Sequence, residues 1–383
     1  MTDTMRAAVL VDVDRFEVQD VPIVHPASHE VLVRVQAVGV CGTDMHIAAG
    51  HANYNTDAHG RLRSLHEQPQ ILGHEIAGVV AEMGGGVRDL SVGDRVIVDQ
   101  GRCCVSEGRE PGCEYCRTGD SHQCEWYREH GITGLPGGFA EFVTMPAVNA
   151  VRMRGTLDAE IAALSEPLGC VLHAAELMSR ANSRYAIGAP GGAHVRTILI
   201  CGGGPSGLLF VQYLRRVASF DGRVIVSEPS PLRRALAERF GAEAIDPSST
   251  DLSDEVAARS GGRRAELLIE ASGAGAIFDV IPALVRKQGT ILLYGHGHAG
   301  TDLSALNRVQ FLEPTMVSPV GASGGHDADG RPRTYVRALR LLEEGVIDVA
   351  PIISHRFHSL DAVPSIFAGT QRDPDFVKGV LTT

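Results

Sequence analysis

The chain has 383 residues, 44% hydrophobic and 21% charged, the composition of folded globular material with room for about two domains. A net charge of −11 argues against a nucleic-acid binder, which needs concentrated Lys and Arg, and no apolar run in the sequence reaches the roughly 20 residues that cross a bilayer. The opening "MTDTMRAAVLVDVDRF" has acids and no small-residue cleavage site, so a cytoplasmic place is expected, where the eight cysteines serve as ligands or core residues rather than disulfides.

In chain order, residues 1–160 read as short strands and loops. "MRAAVLVD", "EVLVRVQAVGV", "HEIAGVVAEM" and "VGDRVIVD" are β-rich and bounded by Gly and Asp turns. "DAEIAALSEPLGCVLHAAELMSRA" switches to helical spacing. Strict alternation follows. "RTILICGGG", "RVIVSE", "AELLIEASG" and "GTILLYGHG" read as strands; "PSGLLFVQYLRRVASF", "PLRRALAERFG" (closed by Gly241) and "IFDVIPALVRKQ" read as helices. Such alternation predicts a doubly wound parallel sheet. The final stretch holds one clear helix, "RTYVRALRLLEEG".

"ILICGGGPSGLLF" fits G-x-G-x-x-G at Gly202, Gly204 and Gly207, with Pro205 and Ser206 opening the helix. It follows a strand, and Glu228 stands 21 positions beyond Gly207 at the end of the next strand. That context marks a dinucleotide site: the glycines admit a pyrophosphate at the helix N-terminus, and the acid accepts from ribose hydroxyls. A 2′-phosphate would meet carboxylate repulsion, so NAD is expected over NADP. Arg233 and Arg234 are the residues that could receive such a phosphate instead.

Three pieces carry metal-ligand chemistry: "VGVCGTDMH" with Cys41, Thr43, Asp44 and His46; "LGHEIAGVV" with His74 and Glu75; and "ALSEPLGC" with Glu166. Cys, His and carboxylate are all zinc ligands, and a catalytic zinc keeps one position open. Singly each piece is weak, because a lone Cys or His is more often a core residue.

Together these pieces, the "GDRV" turn, a cysteine lobe at about 101–126 and the Gly-rich half resemble the zinc-dependent medium-chain alcohol dehydrogenases over nearly the whole chain. The Glu-Pro-Leu of "SEPLG" is similar to the polyol (sorbitol-type) and threonine-type branch; Cys170, four residues later, reads as a packing residue. The resemblance implies an α/β protein with a GroES-like β-rich catalytic domain (1–170), a Rossmann NAD-binding domain (171–315) and a return to the catalytic domain (316–383). It implies Cys41 and His74 as zinc ligands, with Glu75 or Glu166 as the third, directly or through water, and Asp44 holding His74 in its metal-binding tautomer. Two carboxylates and a thiolate around one Zn2+ should make it less Lewis-acidic than neutral ligands would. Thr43 takes the place of the hydroxyl that starts proton release, and His46 matches the outer end of that relay, a role suited to an imidazole with an ordinary pKa of about 6.5.

Two departures stand out. The segment "IAAGHANYNTDAHGRLRSLHEQPQIL" is about ten residues longer than in relatives. The resemblance places it over the substrate cleft, where its polar side chains fit a hydroxyl-rich substrate; a merely solvated loop is the plain alternative. The lobe "REPGCEYCRTGDSHQC" carries Cys113, Cys116 and Cys124 where relatives carry C-x2-C-x2-C-x7-C. Counting back three from Cys113 reaches Glu110, so a structural zinc is expected on Glu110, Cys113, Cys116 and Cys124, with Cys103 or Cys104 as the rival fourth ligand. The expected activity is hydride exchange between NAD and a secondary alcohol: a polyol, cyclitol or sugar, or else threonine or another amino alcohol. Two zincs per chain are expected, and a homodimer or homotetramer paired through an edge supplied by "QGTILLYGHGHAGTDLSALN". A nucleotide-binding sensor with an inactive site is disfavoured because every reactive group is present.

Overall fold

The computed structural model describes residues 3–57, 59–298 and 304–383, the side chain of Gln371 aside. The chain forms two compact units. One runs to Gly169 and resumes with Gly321–Gly345 and Ile353–Thr383; the other comprises Cys170–Val320 and Val346–Ile352. The return at about 320 is thus interrupted, since residues 346–352 go back to the second unit.

The first unit is built on a seven-stranded sheet around Glu30–Val40. That strand pairs antiparallel with Glu75–Met83, Phe142–Pro146 and Lys378–Thr382. Its side chains Val31, Val33, Val35 and, beyond a register shift, Val38 are buried in one core with Leu72, Ile76, Phe139 and Leu381. Two of its antiparallel neighbours begin beside its C-terminal end: Gly39 faces Glu75, and Val40 faces Gly379. This register brings residues from distant parts of the chain to one spot. The expectation that no apolar run is long enough to cross a bilayer is corrected: the helical stretch Ala159–Arg180 passes by length and composition, but 72% of its apolar window is buried inside the protein, the property of a core helix.

The second unit is a six-stranded parallel sheet. From one edge it runs Glu243–Ile245, Arg223–Ser227, Thr197–Cys201, Ala265–Glu270, Val285–Leu293, Thr315–Val317. Strand order reverses at Thr197–Cys201, giving the doubly wound pattern and a crevice where the first strand ends. Two expectations are corrected here. The helix expected through "VRKQ" ends at Leu284, and Val285–Gln288 opens the next strand; Pro282 cannot donate in an α-ladder, and β-branched Val285 favours extension. The strand at Gly289–Leu293 is also interior, flanked by Ala265–Glu270 and Thr315–Val317, so it cannot supply the edge expected for self-association. Residues 299–303 of that expected segment lie outside the described residues.

Candidate active site and metal centres

Cys41 follows the central strand and caps the helix Gly42–Ala48. The cap is reciprocal: Asp44, three residues on, accepts from the Cys41 N–H at 2.9 Å through Oδ2. Its Oδ1 accepts from the Gly73 N–H at 3.1 Å and lies 3.3 Å from His74 Nδ1. One buried carboxylate therefore joins the loop carrying Cys41 to the loop carrying His74 and stands at ion-pair distance from the His74 ring. Burial pulls the His74 pKa down, but the Asp44 carboxylate and Cys41 outweigh it and hold the imidazole well above its ordinary value.

The ligand atoms of Cys41, His74 and Glu75 all lie within 4.8 Å of one another. Glu75 Oε2 is buried without a hydrogen-bond partner, and a donor set of thiol, imidazole and carboxylate suits zinc. The residues present therefore fit the metal. Glu75 tucks against the central strand only because residue 39 is glycine: a Cβ there would stand 1.8 Å from Oε2. Glu166 is outside this trio; it sits in the first turn of the helix Ser165–Arg180, and its Oε1 accepts from Gln100 Nε2 at 3.1 Å. The Tyr335 hydroxyl donates to Gln100 Oε1, which fixes the orientation of that amide.

Sequence reasoning missed Lys378. Its ammonium forms a buried ion pair with Glu75 Oε1, with the two side chains 3% and 0% exposed. Burial lowers the Lys378 pKa, but Glu75, with Cys41 and Glu166, outweighs it and holds the amine above its ordinary value, so it stays charged. The signal was one lysine in the apolar run "FVKGVL", since an unpaired Lys is almost never fully buried. Its charge offsets that of Glu75, so the expectation of a weakly Lewis-acidic metal, which counted only the anions, is revised.

Thr43 lies in the same turn, its Oγ1 3.7 Å from Cys41 Sγ. His46 is half-buried on the same short helix, with its ring 6.3 Å from that of exposed His51. The long segment after it is held by its own polar groups: Asp57 accepts from His59 and Arg61, and Asn53 donates to the Arg63 carbonyl. Asn55 is buried in it, whereas Tyr54 is exposed. Ala58 lies outside the described residues.

In the cysteine lobe the fourth partner is Cys104. The ligand atoms of Cys104, Cys113, Cys116 and Cys124 lie mutually within 4.8 Å, with Cys104 Sγ 3.7 Å from Cys124 Sγ. A tetrahedron with Zn–S bonds of about 2.3 Å has edges of about 3.8 Å, so the thiols fit zinc. The expectation for Glu110 is corrected: it is exposed and outside the cluster. A turn is responsible. Glu107 and Arg109 donate to the carbonyls of Cys103 and Cys104, folding that strip back until Cys104 Sγ receives the Cys113 N–H at 3.3 Å. Cys103 faces elsewhere, toward Ser106 and His326 at 3.7 and 3.8 Å. Burial pushes Cys113 up, but the N–H groups of Cys116 and Glu125 and neighbouring thiols outweigh it and bring it down to about 6. Burial leaves Cys116 raised and pushes Cys124 up to about 11.

The dinucleotide turn leaves Cys201 with Gly202 at φ 103° and enters the helix Pro205–Gln212 at Gly204. A Cβ on Gly207 would meet the Gly202 carbonyl oxygen at 2.0 Å, so only glycine lets the helix start this close to the strand. Glu228 is buried just past Ser227; its oxygens accept from the Gly203 N–H at 2.7 Å and the Ser230 N–H at 2.9 Å. The acid is thus pinned against the turn, as the cradle for a dinucleotide requires. Arg233 Nη1 is 3.9 Å from Glu228, and Arg234 pairs with Asp246 at 3.2 Å.

Comparison with known proteins agrees with both halves. The alcohol dehydrogenase GroES-like domain family matches residues 27–155, and the zinc-binding dehydrogenase family matches residues 205–344. An L-threonine 3-dehydrogenase of Pyrococcus abyssi is 32% identical over 92% of this chain and 90% of its own. The L-galactonate-5-dehydrogenase of Escherichia coli is 28% identical over 95% and 94%. A Sinorhizobium meliloti structure described as a zinc-binding dehydrogenase bound to NADP superposes with a TM-score of 0.78, at 29% identity and full coverage of both chains. A GroES-like half with a zinc donor set and a Rossmann half with a dinucleotide turn define a zinc-dependent nicotinamide oxidoreductase. The chain belongs to the zinc-dependent medium-chain alcohol dehydrogenase family, and its reaction is hydride exchange between an alcohol and a nicotinamide dinucleotide.

Proposed function

We propose that the protein oxidises a secondary alcohol group of a polyol, sugar or sugar acid, with NAD as acceptor and two zinc ions per chain. The observation that carries this reading is the meeting of Cys41, His74 and Glu75 donors beside the paired Lys378. Kinship with a galactonate dehydrogenase supports a hydroxyl-rich substrate, and the polar segment after His46 is consistent with one.

Cys41, His74 and Glu75 would hold the catalytic zinc, and Cys104, Cys113, Cys116 and Cys124 the structural one. When bound, zinc lowers the pKa of an alcohol and the nicotinamide accepts hydride. Asp44 keeps the His74 proton on Nδ1, so the imidazole stays in its donor tautomer. Lys378 holds Glu75 in place and balances its charge. Thr43 Oγ1 accepts the alcohol proton and hands on its own toward His46, which carries it to solvent. Glu166, held by Gln100, is a reserve carboxylate near the site rather than part of the donor trio. Glu228 receives the adenosine ribose hydroxyls and disfavours a 2′-phosphate, with Gly202, Gly204, Pro205, Ser206 and Gly207 taking the pyrophosphate.

The test is a screen for NAD reduction over polyols, sugar acids, cyclitols and amino alcohols, with metal content measured on the same samples. Turnover of a polyhydroxylated substrate that is lost in Cys41→Ser is expected. Preference for threonine or another amino alcohol would replace this substrate class with that of the Pyrococcus relative. In the same assay His46→Ala should shift the pH–rate profile; an unchanged profile removes His46 from proton release.

A further inference from the structure

We propose that the nucleotide-binding unit carries a second, separate site for a small polyphosphorylated anion. The site is a cavity of about 610 Å3 at the ends of the parallel strands opposite the glycine-rich turn. Its walls come from residues that precede or open strands: Arg263 and Arg264 before Ala265–Glu270, Arg286 and Lys287 in the first turn of Val285–Leu293, and Phe311 before Thr315–Val317. The glycine-rich turn follows the C-terminal residue of Thr197–Cys201. Strands of this length put the two regions about 17–20 Å apart, so one dinucleotide turn does not account for both.

Charge makes this cavity exceptional in a chain of net charge −11. Five cations line it, counting Arg184, against one carboxylate, Glu313. Only Arg263 is neutralised, by Glu266 at 3.1 Å. Among the described residues, none of Arg184, Arg264, Arg286 and Lys287 has a carboxylate within ion-pair distance. The three guanidinium groups among them are aimed by neutral acceptors instead. Arg184 donates to Gln288 Oε1 at 2.8 Å, Arg264 to the Pro282 carbonyl at 3.0 Å, and Arg286 to the Tyr185 hydroxyl at 3.0 Å. Arg184 and Arg286 also lie 5.7 and 6.0 Å from the centre of the Tyr185 ring. The positive charges are thus positioned and uncompensated, an arrangement that costs stability through repulsion unless an anion completes it.

Backbone geometry points to the same place. Among the described residues five non-glycine positions have left-handed φ, and three of them line this cavity: Arg264 at 68°, Gln288 at 57° and Glu313 at 47°. Arg264 and Gln288 are held there by hydrogen bonds, from the Arg264 N–H to Ser260 Oγ at 2.8 Å and from the Gln288 N–H to the Leu312 carbonyl at 2.6 Å. Side chains tolerate such backbone only where the surroundings enforce it, commonly at binding sites.

The volume falls in the range of small-molecule sites, about 300–1,000 Å3. Guanidinium forks match phosphate oxygens bidentately, and four free cations match the charge of a di- or triphosphate. Phe311, 85% exposed at the rim, offers a ring face for the organic part of such a ligand.

The test uses the zinc-loaded full chain with NAD saturating, so that the glycine-rich turn is filled, and titrates inorganic tripolyphosphate by calorimetry. Saturable binding of one tripolyphosphate per chain is expected. The double variant R184Q/K287Q, both exposed residues outside the catalytic and nucleotide machinery, should weaken it at least tenfold while leaving NAD affinity unchanged. The double variant R223Q/R239Q removes the same charge elsewhere on this unit and should leave the affinity within twofold. Absence of saturable binding, or equal weakening by both double variants, would overturn the proposal.

Discussion

Replacing Cys104 by alanine tests the closed metal site most directly. The lobe has almost no core of its own: the helix Glu114–Thr118 buries no residue, and the local apolar cluster consists of Cys103, Cys104, Cys113 and Cys124 with Val105, Cys116 and Tyr127. Zinc is therefore the main force that can organise it. Closed thiolate sites in zinc peptides gain about 10–16 kcal/mol on metal binding. One ligand of four carries roughly a quarter of that, about 2.5–4 kcal/mol, or about 10²–10³ in affinity. After dialysis against a moderate chelator, Cys104→Ala should hold one zinc fewer per chain than the unaltered protein. Trypsin should then cut rapidly at Arg109 and Arg117, both exposed in the lobe. Glu110→Ala should match the unaltered protein in both readouts. Full zinc retention by Cys104→Ala, or loss of zinc from Glu110→Ala, would refute the four-thiol assignment and restore the carboxylate.

The same thiols predict a pH dependence. At pH 7 Cys113, with its pKa near 6, is ionised, whereas Cys116 and Cys124, raised by burial, are protonated. Zinc entry must release at least two protons, so lobe affinity should climb about two decades per pH unit between pH 7 and 9; a slope under one, measured by chelator competition, contradicts this. Lys378→Met leaves Glu75 buried and uncompensated, and should cost the zinc-free protein about 3–5 kcal/mol in denaturant unfolding. Adding Glu75→Gln should recover most of that loss; no recovery would mean that the lysine acts through packing. Asp44→Asn should weaken catalytic zinc about 10–100-fold, because His74 loses the acceptor for its Nδ1 proton; unchanged metal content under chelator challenge would remove that role. Glu228→Ala should raise the NADP-to-NAD ratio of kcat/KM at least tenfold, and an unchanged ratio would mean that another group selects the cofactor.

Local patterns carried much of the fold. The apolar runs in "EVLVRVQAVGV" and "RTILICGGG" survive as the strands Glu30–Val40 and Thr197–Cys201, because central strands buried on both faces need near-continuous apolar side chains. The glycine-rich turn was legible for a similar reason. Its glycines answer a steric demand made within six residues, so spacing along the chain and spacing in space coincide. Where a constraint comes from residues distant in sequence, that correspondence fails. The extent of "VRKQ" was misread because the parallel partner Ala265–Glu270 draws Val285 into the sheet, an interaction invisible in a helical-looking window.

The active site divides along the same line. Sequence alone offered Cys41, His74 and two glutamates as candidate donors, each weak by itself and joined into one set only through the family resemblance. It could not decide between Glu75 and Glu166, or between Glu110 and Cys104, because those choices depend on how loops fold back. Glu75 enters the trio through the register that sets it opposite Gly39, and Cys104 enters the lobe through the turn at 103–109. Lys378 stands 303 positions from Glu75 and meets it only because the last strand pairs beside the central one. A charge buried against its partner has an energy set by separation in space, and tertiary structure alone supplies that distance.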